Sequence, residues 1–286
     1  MTSFLAWVGV DSRGPTSVYL SSDSRISWIY PNQALDVWDH GRKVFATTTG
    51  PHLFGYVGDV LFASLVLSQL TSAADAGLLF AAAKSADARF GILCEKIQLT
   101  FGQLPKSQQR DFSVVYATRD GEGMRCGFSL WVLHWSRSLG WRQEQIGMPM
   151  TSSSLSILGS GTPHVELWQG RWRASSQGDT SRAVFSAFCD AIQSGADKMS
   201  GGPPQLVGLY RVGTGRTFGI VTKQGAFVYG LPVTGAHVDA ELATEWRNEA
   251  FERVDACGDR LHGAQDHHVP RGLGPGKHHL RQSGGA

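Results

Sequence analysis

The spacing of apolar residues divides this chain into blocks of strands and blocks of helices. Short apolar runs that end at Gly, Pro, Asp or Ser are typical of β-strands. The first two runs, joined by a turn that contains Gly14 and Pro15, predict an N-terminal hairpin, and a polar loop that contains tryptophan is expected over residues 26–41. Strands are predicted over residues 4–10, 17–20, 43–45, 52–57, 112–116, 128–135, 139–146, 155–158, 205–212, 217–222 and 226–229.

Helical spacing of apolar residues appears in three places within the predicted core. One repeat begins at Phe62, a second at Phe90, and residues 71–77 are expected to join these two helices; a third repeat begins at Val184. Strands therefore alternate with whole blocks of helix along the chain. This order predicts an α+β fold, with two stacked antiparallel sheets between helical layers.

The chain changes character after about residue 235. Residues 2–235 are predicted to form one domain. A further amphipathic helix is expected over 236–257, because Leu242, Trp246, Ala250 and Val254 recur every four residues. The tail over 258–286 is rich in Gly and His and has no apolar period, so we expect it to be disordered. Its histidines lack cysteine or carboxylate partners at defined spacing, and a solvated tail is favoured over a metal site.

Composition and charge exclude several classes of function. The formal net charge is +2 and acidic and basic residues are interspersed, which disfavours nucleic-acid binding. Membrane spanning is disfavoured because no apolar run approaches the ~20 residues that a spanning helix needs. The first residues do not resemble a secretory signal, and the four cysteines are scattered without a CxxC pair. We therefore expect a cytoplasmic protein with reduced cysteines and no cofactor.

The second residue, Thr2, is the first candidate for chemistry. A threonine whose α-amine has been freed can act as nucleophile and base together, because the hydroxyl attacks while the amine accepts its proton. Only Met1 precedes Thr2 in the sequence, so removal of Met1 is expected to expose it. Threonine after methionine is common, and this pair alone establishes nothing.

Other segments contain groups that such a threonine would need. Lys43 begins a strand, and a positive charge beside Thr2 would favour the deprotonated hydroxyl; Asp23 would hold that lysine charged and oriented. A solvated lysine and a capping aspartate are the ordinary alternatives. Gly55 and Gly58 lie near a strand-to-helix junction, where a backbone N–H is a good oxyanion donor. Turn-like segments contain Ser160, Asp197 and Ser200.

Together these motifs resemble the proteasome β-subunit family and its bacterial relative, the HslV peptidase, among the N-terminal-nucleophile hydrolases. The resemblance extends from about Thr2 to Gly230. Its motifs are Thr2-Ser3, Asp23-Ser24-Arg25, Lys43-Val44, the glycines before Asp59, Gly159-Ser160-Gly161 and Asp197-x-x-Ser200-Gly201. It implies the four-layer αββα sandwich of that superfamily. With Asp59 as the family's aspartate, Gly55 is the better match for the oxyanion glycine and Gly58 the alternative.

The resemblance also implies roles and partners. Thr2 would be the nucleophile, Lys43 and Asp23 would tune its hydroxyl, and Asp197 and Ser200 would orient it. Ser160 would assist the proton transfer. The implied substrate is a peptide or unfolded protein, with Arg25, Tyr56 and Gly58 expected to contact it. A homo-oligomeric ring and an ATPase unfoldase partner are also implied. Two alternatives stay open: an amidohydrolase that acts on a small amide, and a catalytically silent structural subunit.

Overall fold

The computed structural model describes residues 2–32, 34–83, 85–233 and 244–263. These residues form a mixed α/β structure with three sheets and four α-helices, and almost all strand pairs are antiparallel. None of these helices is long and apolar enough to cross a membrane.

The largest sheet has nine strands and contains the N-terminal hairpin. Its main order is β10-β1-β2-β11-β12-β13-β14, and β15 and β16 extend it from β12. Its strands are β1 (Phe4–Asp11), β2 (Gly14–Ser22), β10 (Ser153–Leu158), β11 (Gln205–Tyr210), β12 (Arg216–Thr222), β13 (Gly225–Val228), β14 (Leu231–Pro232), β15 (Glu245–Asn248) and β16 (Arg253–Val254).

The second large sheet has five strands in chain order. All of its neighbouring strands run antiparallel. Its strands are β5 (Val44–Ala46), β6 (His52–Gly58), β7 (Phe112–Asp120), β8 (Gly127–Ser136) and β9 (Gly140–Ile146).

Three hydrophobic clusters show how helices and sheets pack. Apolar residues of β1, β2 and β11 contact those of β5 to β8, so the two large sheets pack on each other. The other face of the five-stranded sheet packs against α1 (Val60–Asp75) and α2 (Ala86–Gly102). The other face of the nine-stranded sheet packs against α3 (Thr162–Arg173) and α4 (Ser181–Gln193). Strand β1 is buried on both faces, which explains its continuous apolar sequence.

Several local predictions need correction. Residues 26–41 are not an irregular loop, because β3 (Ile26–Ile29) and β4 (Leu35–Trp38) pair as a separate two-stranded sheet. Helix α3 was not predicted, since its apolar residues are few and Pro163 lies in its first turn. The joint between the first two helices lies after Asp75 rather than over 71–77.

The helix predicted over 236–257 is wrong where the structure describes this segment. Residues Glu245–Asn248 form β15, which pairs parallel with β12, so the nine-stranded sheet is not purely antiparallel. The Trp246 ring lies over Gly219, where a side chain would come within 2.1 Å of it. A four-residue repeat also keeps apolar residues on one face of a strand, since four is twice the strand period. Residues 236–243, and the tail from residue 264, lie outside the described residues.

Candidate active site

The ends of several strands meet at one end of the nine-stranded sheet. Phe4 at the start of β1 pairs with Ser22 at the end of β2 and with Leu158 at the end of β10. Ser22 also pairs with Gln205 at the start of β11. The residues that precede or follow these strands are therefore neighbours, although they are far apart in the chain. They include Thr2, Asp23, Ser160 and Ser200.

Lys43 and Asp23 form a buried ion pair at this end. The Lys43 Nζ atom donates to Asp23 Oδ1 at 2.7 Å, and both side chains have no solvent exposure. Lys43 Nζ also donates to the backbone oxygen of Arg25 at 2.6 Å. Burial lowers the pKa of Lys43, and the Asp23 carboxylate opposes that shift. The pair is thus held in one geometry and shielded from water.

The Asp23 carboxylate connects Lys43 to the N-terminal segment. The same oxygen, Oδ1, accepts from the backbone N–H of Ser3 at 3.1 Å, immediately after Thr2. The other oxygen accepts from the backbone N–H groups of Gly201, at 2.9 Å, and Arg25, at 3.2 Å. One carboxylate therefore fixes the lysine amine, the peptide that follows Thr2 and the segment that follows Ser200.

A second polar group lies on the other side of Thr2-Ser3. Ser3 Oγ donates to Ser200 Oγ at 2.9 Å, and Ser200 Oγ donates to Asp197 Oδ2 at 2.7 Å. Ser160 Oγ donates to the same Asp197 oxygen, also at 2.7 Å. Desolvation raises the pKa of Asp197, but hydrogen bonds from Ser200, Ser160 and the Met199 N–H lower it, and the net pKa is lowered. Asp197 therefore stays ionised and orients both serines.

The glycines that flank Ser160 are required by contact with Thr2 and Ser3. Gly159 has φ +98°, and a Cβ there would lie 1.8 Å from the carbonyl oxygen of Thr2. A Cβ on Gly161 would lie 1.8 Å from Ser3 Oγ, and the Gly161 N–H donates to the Thr2 carbonyl at 3.4 Å. The turn can approach the N-terminal segment this closely only because both positions lack a side chain.

The two candidate oxyanion glycines have different surroundings. A Cβ on Gly55 would lie 2.4 Å from the ring of Phe4, two residues after Thr2, so Gly55 lies against the N-terminal strand. Gly58 has φ +99°, and its Cβ position is 2.5 Å from the backbone oxygen of Asp111. The positive φ and the close packing against the start of β7 explain why residue 58 is a glycine. Gly55 therefore remains the better candidate for the oxyanion glycine.

Arg25 and Tyr56 both have hydrogen-bond partners within the protein. Arg25 forms a two-pronged ion pair with Asp39, with bonds of 2.7 and 2.9 Å, and donates to the carbonyls of Lys198 and Ser200. It therefore fixes the segment that contains Ser200. The Tyr56 side chain is 1% exposed, lies in the cluster with α1 and α2, and donates to the Arg42 carbonyl. Strand alternation directs Tyr56 away from the face that Gly55 and Val57 share.

Three residues of this site were missed from the sequence. Ser3 links the N-terminal segment to Ser200, and Asp39 neutralises Arg25. Gln205 is 1% exposed; its Oε1 accepts from the Lys43 backbone N–H at 3.0 Å, and its Nε2 donates to Ser24 Oγ at 2.9 Å and to the Gly41 carbonyl. A lone glutamine at the start of an apolar strand was the one available signal for Gln205.

Replacing Gln205 by leucine is expected to disturb the site as well as the fold. The Gln205→Leu variant leaves the Lys43 N–H and the Gly41 carbonyl unsatisfied, so we expect the free energy of unfolding to fall by about 2 kcal/mol. Displacement of Lys43 should also lower kcat/KM about tenfold for the reaction proposed below. Urea denaturation and cleavage kinetics measure the two effects.

A matched control for Gln205 is Gln169, a second buried glutamine. It lies on α3 and accepts from Ser154 Oγ, away from Lys43. Gln169→Leu should keep the wild-type kcat/KM, when both variants are assayed well below their unfolding temperatures. Equal activity in the two variants would contradict a positioning role for Gln205.

The comparisons with known proteins give little beyond the geometry. No protein-family model matches the chain, and no curated protein matches it. A solved structure that it resembles is eukaryotic HslV from Trypanosoma brucei, with 11% sequence identity and a TM-score of 0.43. That match covers 72% of this chain and 99% of the HslV chain.

Proposed function

We propose that this protein hydrolyses peptide bonds with Thr2 as an N-terminal nucleophile. The observation that carries the proposal is the shared oxygen of Asp23, which binds both the Lys43 amine and the peptide that follows Thr2. A buried ion pair is costly to maintain and gives little net stability, so its position beside a threonine favours a chemical role.

The proposed reaction begins with a free α-amine on Thr2, so the Met1–Thr2 peptide bond must first be cleaved. Thr2 Oγ then attacks the substrate carbonyl carbon, and its proton passes to the α-amine. The Lys43 positive charge favours the developing alkoxide, and the Gly55 N–H would donate to the carbonyl oxygen as it gains charge. The C–N bond breaks, the amine returns the proton to the leaving group, and water hydrolyses the resulting ester.

The serines and Asp197 serve this reaction by holding the nucleophile. Ser3 donates towards Ser200, and Ser200 and Ser160 donate to the ionised Asp197, so all three hydroxyl protons have defined directions. The oxygens of Ser3 and Ser160 keep lone pairs that can accept from an α-amine or a bridging water. This arrangement supports Asp197, Ser160 and Ser200 as positioning residues for the amine.

The fold and assembly that accompany this proposal are those of the family resemblance. The three hydrophobic clusters support a four-layer αββα order, with helices outside both sheets. A homo-oligomeric ring, an ATP-driven unfoldase partner and a cytoplasmic location remain predictions. Sedimentation analysis of the purified chain tests the ring directly.

One observation favours the catalytically silent alternative. Thr2 is 1% exposed, so its hydroxyl is not open to a substrate while the peptide bond before it is intact. The silent reading requires this bond to persist, whereas the catalytic reading requires it to be cleaved. The state of the N-terminus therefore separates the two.

Intact-mass analysis with a peptide epoxyketone tests the proposed function. We expect the purified protein to have lost Met1 and to gain one inhibitor mass, because epoxyketones react with a hydroxyl and a free α-amine on the same residue. Peptide mapping should place the adduct on Thr2. A protein that retains Met1 and gains no mass would overturn the proposal, while cleavage of small amides but not of peptides would favour the amidohydrolase alternative.

A further inference from the structure

A cavity of about 450 Å³ opens at the end of the five-stranded sheet. It lies where β6 ends and β9 begins, and its lining includes Val57, Ser113, His134 and Arg142. These four residues are directly paired across four neighbouring strands: Val57 with Ser113, Ser113 with His134, and His134 with Arg142. Residues paired in this way share one face of a sheet, so they form a continuous row.

The row begins beside the candidate nucleophile. Val57 belongs to the cluster between the two large sheets, so the row faces the sheet that contains β1. The Cβ position of Gly159 lies 3.3 Å from Val57 Cγ1 and 1.8 Å from the carbonyl oxygen of Thr2. Val57 thus connects the Thr2 segment to the cavity.

Polar groups in the row match a negatively charged ligand. Ser113 Oγ and His134 Nδ1 are 2.7 Å apart. Burial lowers the pKa of His134, with Arg142 lowering it further and Glu144 opposing, so the ring is neutral at pH 7. Arg142 has no carboxylate within 4.0 Å among the residues that the structure describes. An arginine in this state is a ready partner for a carboxylate.

Two carboxylates of the chain lie near the row and weaken its attraction for an anion. Asp111 also lines the cavity, but its Oδ1 accepts from the Arg137 backbone N–H at 3.0 Å. Glu144 lies two residues after Arg142 on the same face of β9, where it pairs with Val132. Its negative charge reduces the attraction of the row for an anion.

From these contacts, and on the basis of the function proposed above, we infer that the cavity binds an acidic side chain of the peptide substrate, with Arg142 as the partner of its carboxylate. The residue concerned flanks the scissile bond. Ser113 and His134 form the polar wall beside that carboxylate, and Val57 forms the apolar entrance.

Matched peptides test this inference. Internally quenched peptides carry Glu or Gln at each of the two positions that flank the cleavage site. At one of these positions, we expect kcat/KM to be about threefold higher for Glu than for Gln, an effect within the range of solvent-exposed ion pairs. Arg142→Met should reduce this ratio to about one, and Glu144→Gln should increase it about twofold.

The control variant is Arg125→Met. Arg125 is also an exposed arginine. It lies in the turn between β7 and β8, at the opposite end of these strands from Ser113 and His134. This variant should keep the wild-type ratio. A wild-type ratio near one at both positions, or a ratio that Arg142→Met leaves unchanged, would overturn the inference.

A leucine-containing peptide epoxyketone separates this test from that of the proposed function. If the inhibitor labels Thr2 while the Glu/Gln ratios are flat, the hydrolase proposal stands and the cavity assignment is wrong. If no peptide is cleaved and Thr2 is not labelled, the proposed function is wrong and the cavity assignment fails with it.

Discussion

Replacing Lys43 by methionine is expected to abolish peptide cleavage and to destabilise the fold together. The substitution leaves the Asp23 carboxylate buried without its cation, which typically costs about 3–5 kcal/mol of unfolding free energy. Loss of the positive charge beside Thr2 should lower kcat/KM at least about 10³-fold. Chemical denaturation and cleavage kinetics measure the two losses separately.

A double variant separates chemistry from stability. In Lys43→Met with Asp23→Asn the uncompensated charge is gone, so part of the lost stability should return while activity stays absent. Arg216→Met is the matched control, because Arg216 forms a partly exposed pair with Glu245 at 3.4 Å, and its loss should cost at most about 1 kcal/mol with unchanged activity. Recovery of cleavage in the double variant would show that Lys43 acts only on the fold.

Replacing Thr2 by alanine should remove all cleavage above background while leaving the fold in place. Loss of the hydroxyl removes the nucleophile, so we expect kcat/KM to fall by at least about 10⁴-fold. Removing so few atoms should change the free energy of unfolding by only about 1 kcal/mol. Thr2→Ser retains a hydroxyl and an α-amine, and should keep measurable cleavage and inhibitor labelling.

Ser3→Ala provides the control for Thr2, because Ser3 is the neighbouring hydroxyl. The Ser3 hydroxyl donates to Ser200. We expect the inhibitor to label the Ser3→Ala variant more slowly than the wild type, but still on Thr2. Peptide cleavage that survives in Thr2→Ala and disappears in Ser3→Ala would show that Ser3 is the nucleophile.

Local patterns predicted β1, β2 and β5 to β13 of the two large sheets but not β14 to β16, and they failed where one pattern fits two structures. The run Phe4–Val10 lies on β1, and helical repeats at Phe62 and Phe90 lie on α1 and α2. The four-residue repeat around Trp246 fits a strand as well as a helix, and only contact with Gly219 decides between them. Tertiary contact of this kind has no local signal.

The candidate site shows the same division. Residue types and order suggested Asp23, Lys43, Ser160, Asp197 and Ser200, and the structure brings these residues together. Their exact partners depend on contacts between residues distant in sequence, such as the bond from Gly201 to Asp23. Tyr56 follows Gly55 in sequence but lies on the opposite face of the strand, which the order of residues alone did not reveal.

The bonds of the Asp23 carboxylate also bear on when the site forms during folding. Its partners include Lys43, 20 residues away along the chain, and Gly201, 178 residues away. Contacts of such long separation close large loops and are established late in folding. The arrangement around Thr2 is therefore complete only once β1, β2, β5 and the segment before β11 have all assembled. A partly folded chain therefore lacks the arrangement of Asp23, Lys43 and Gly201 around the Thr2 segment.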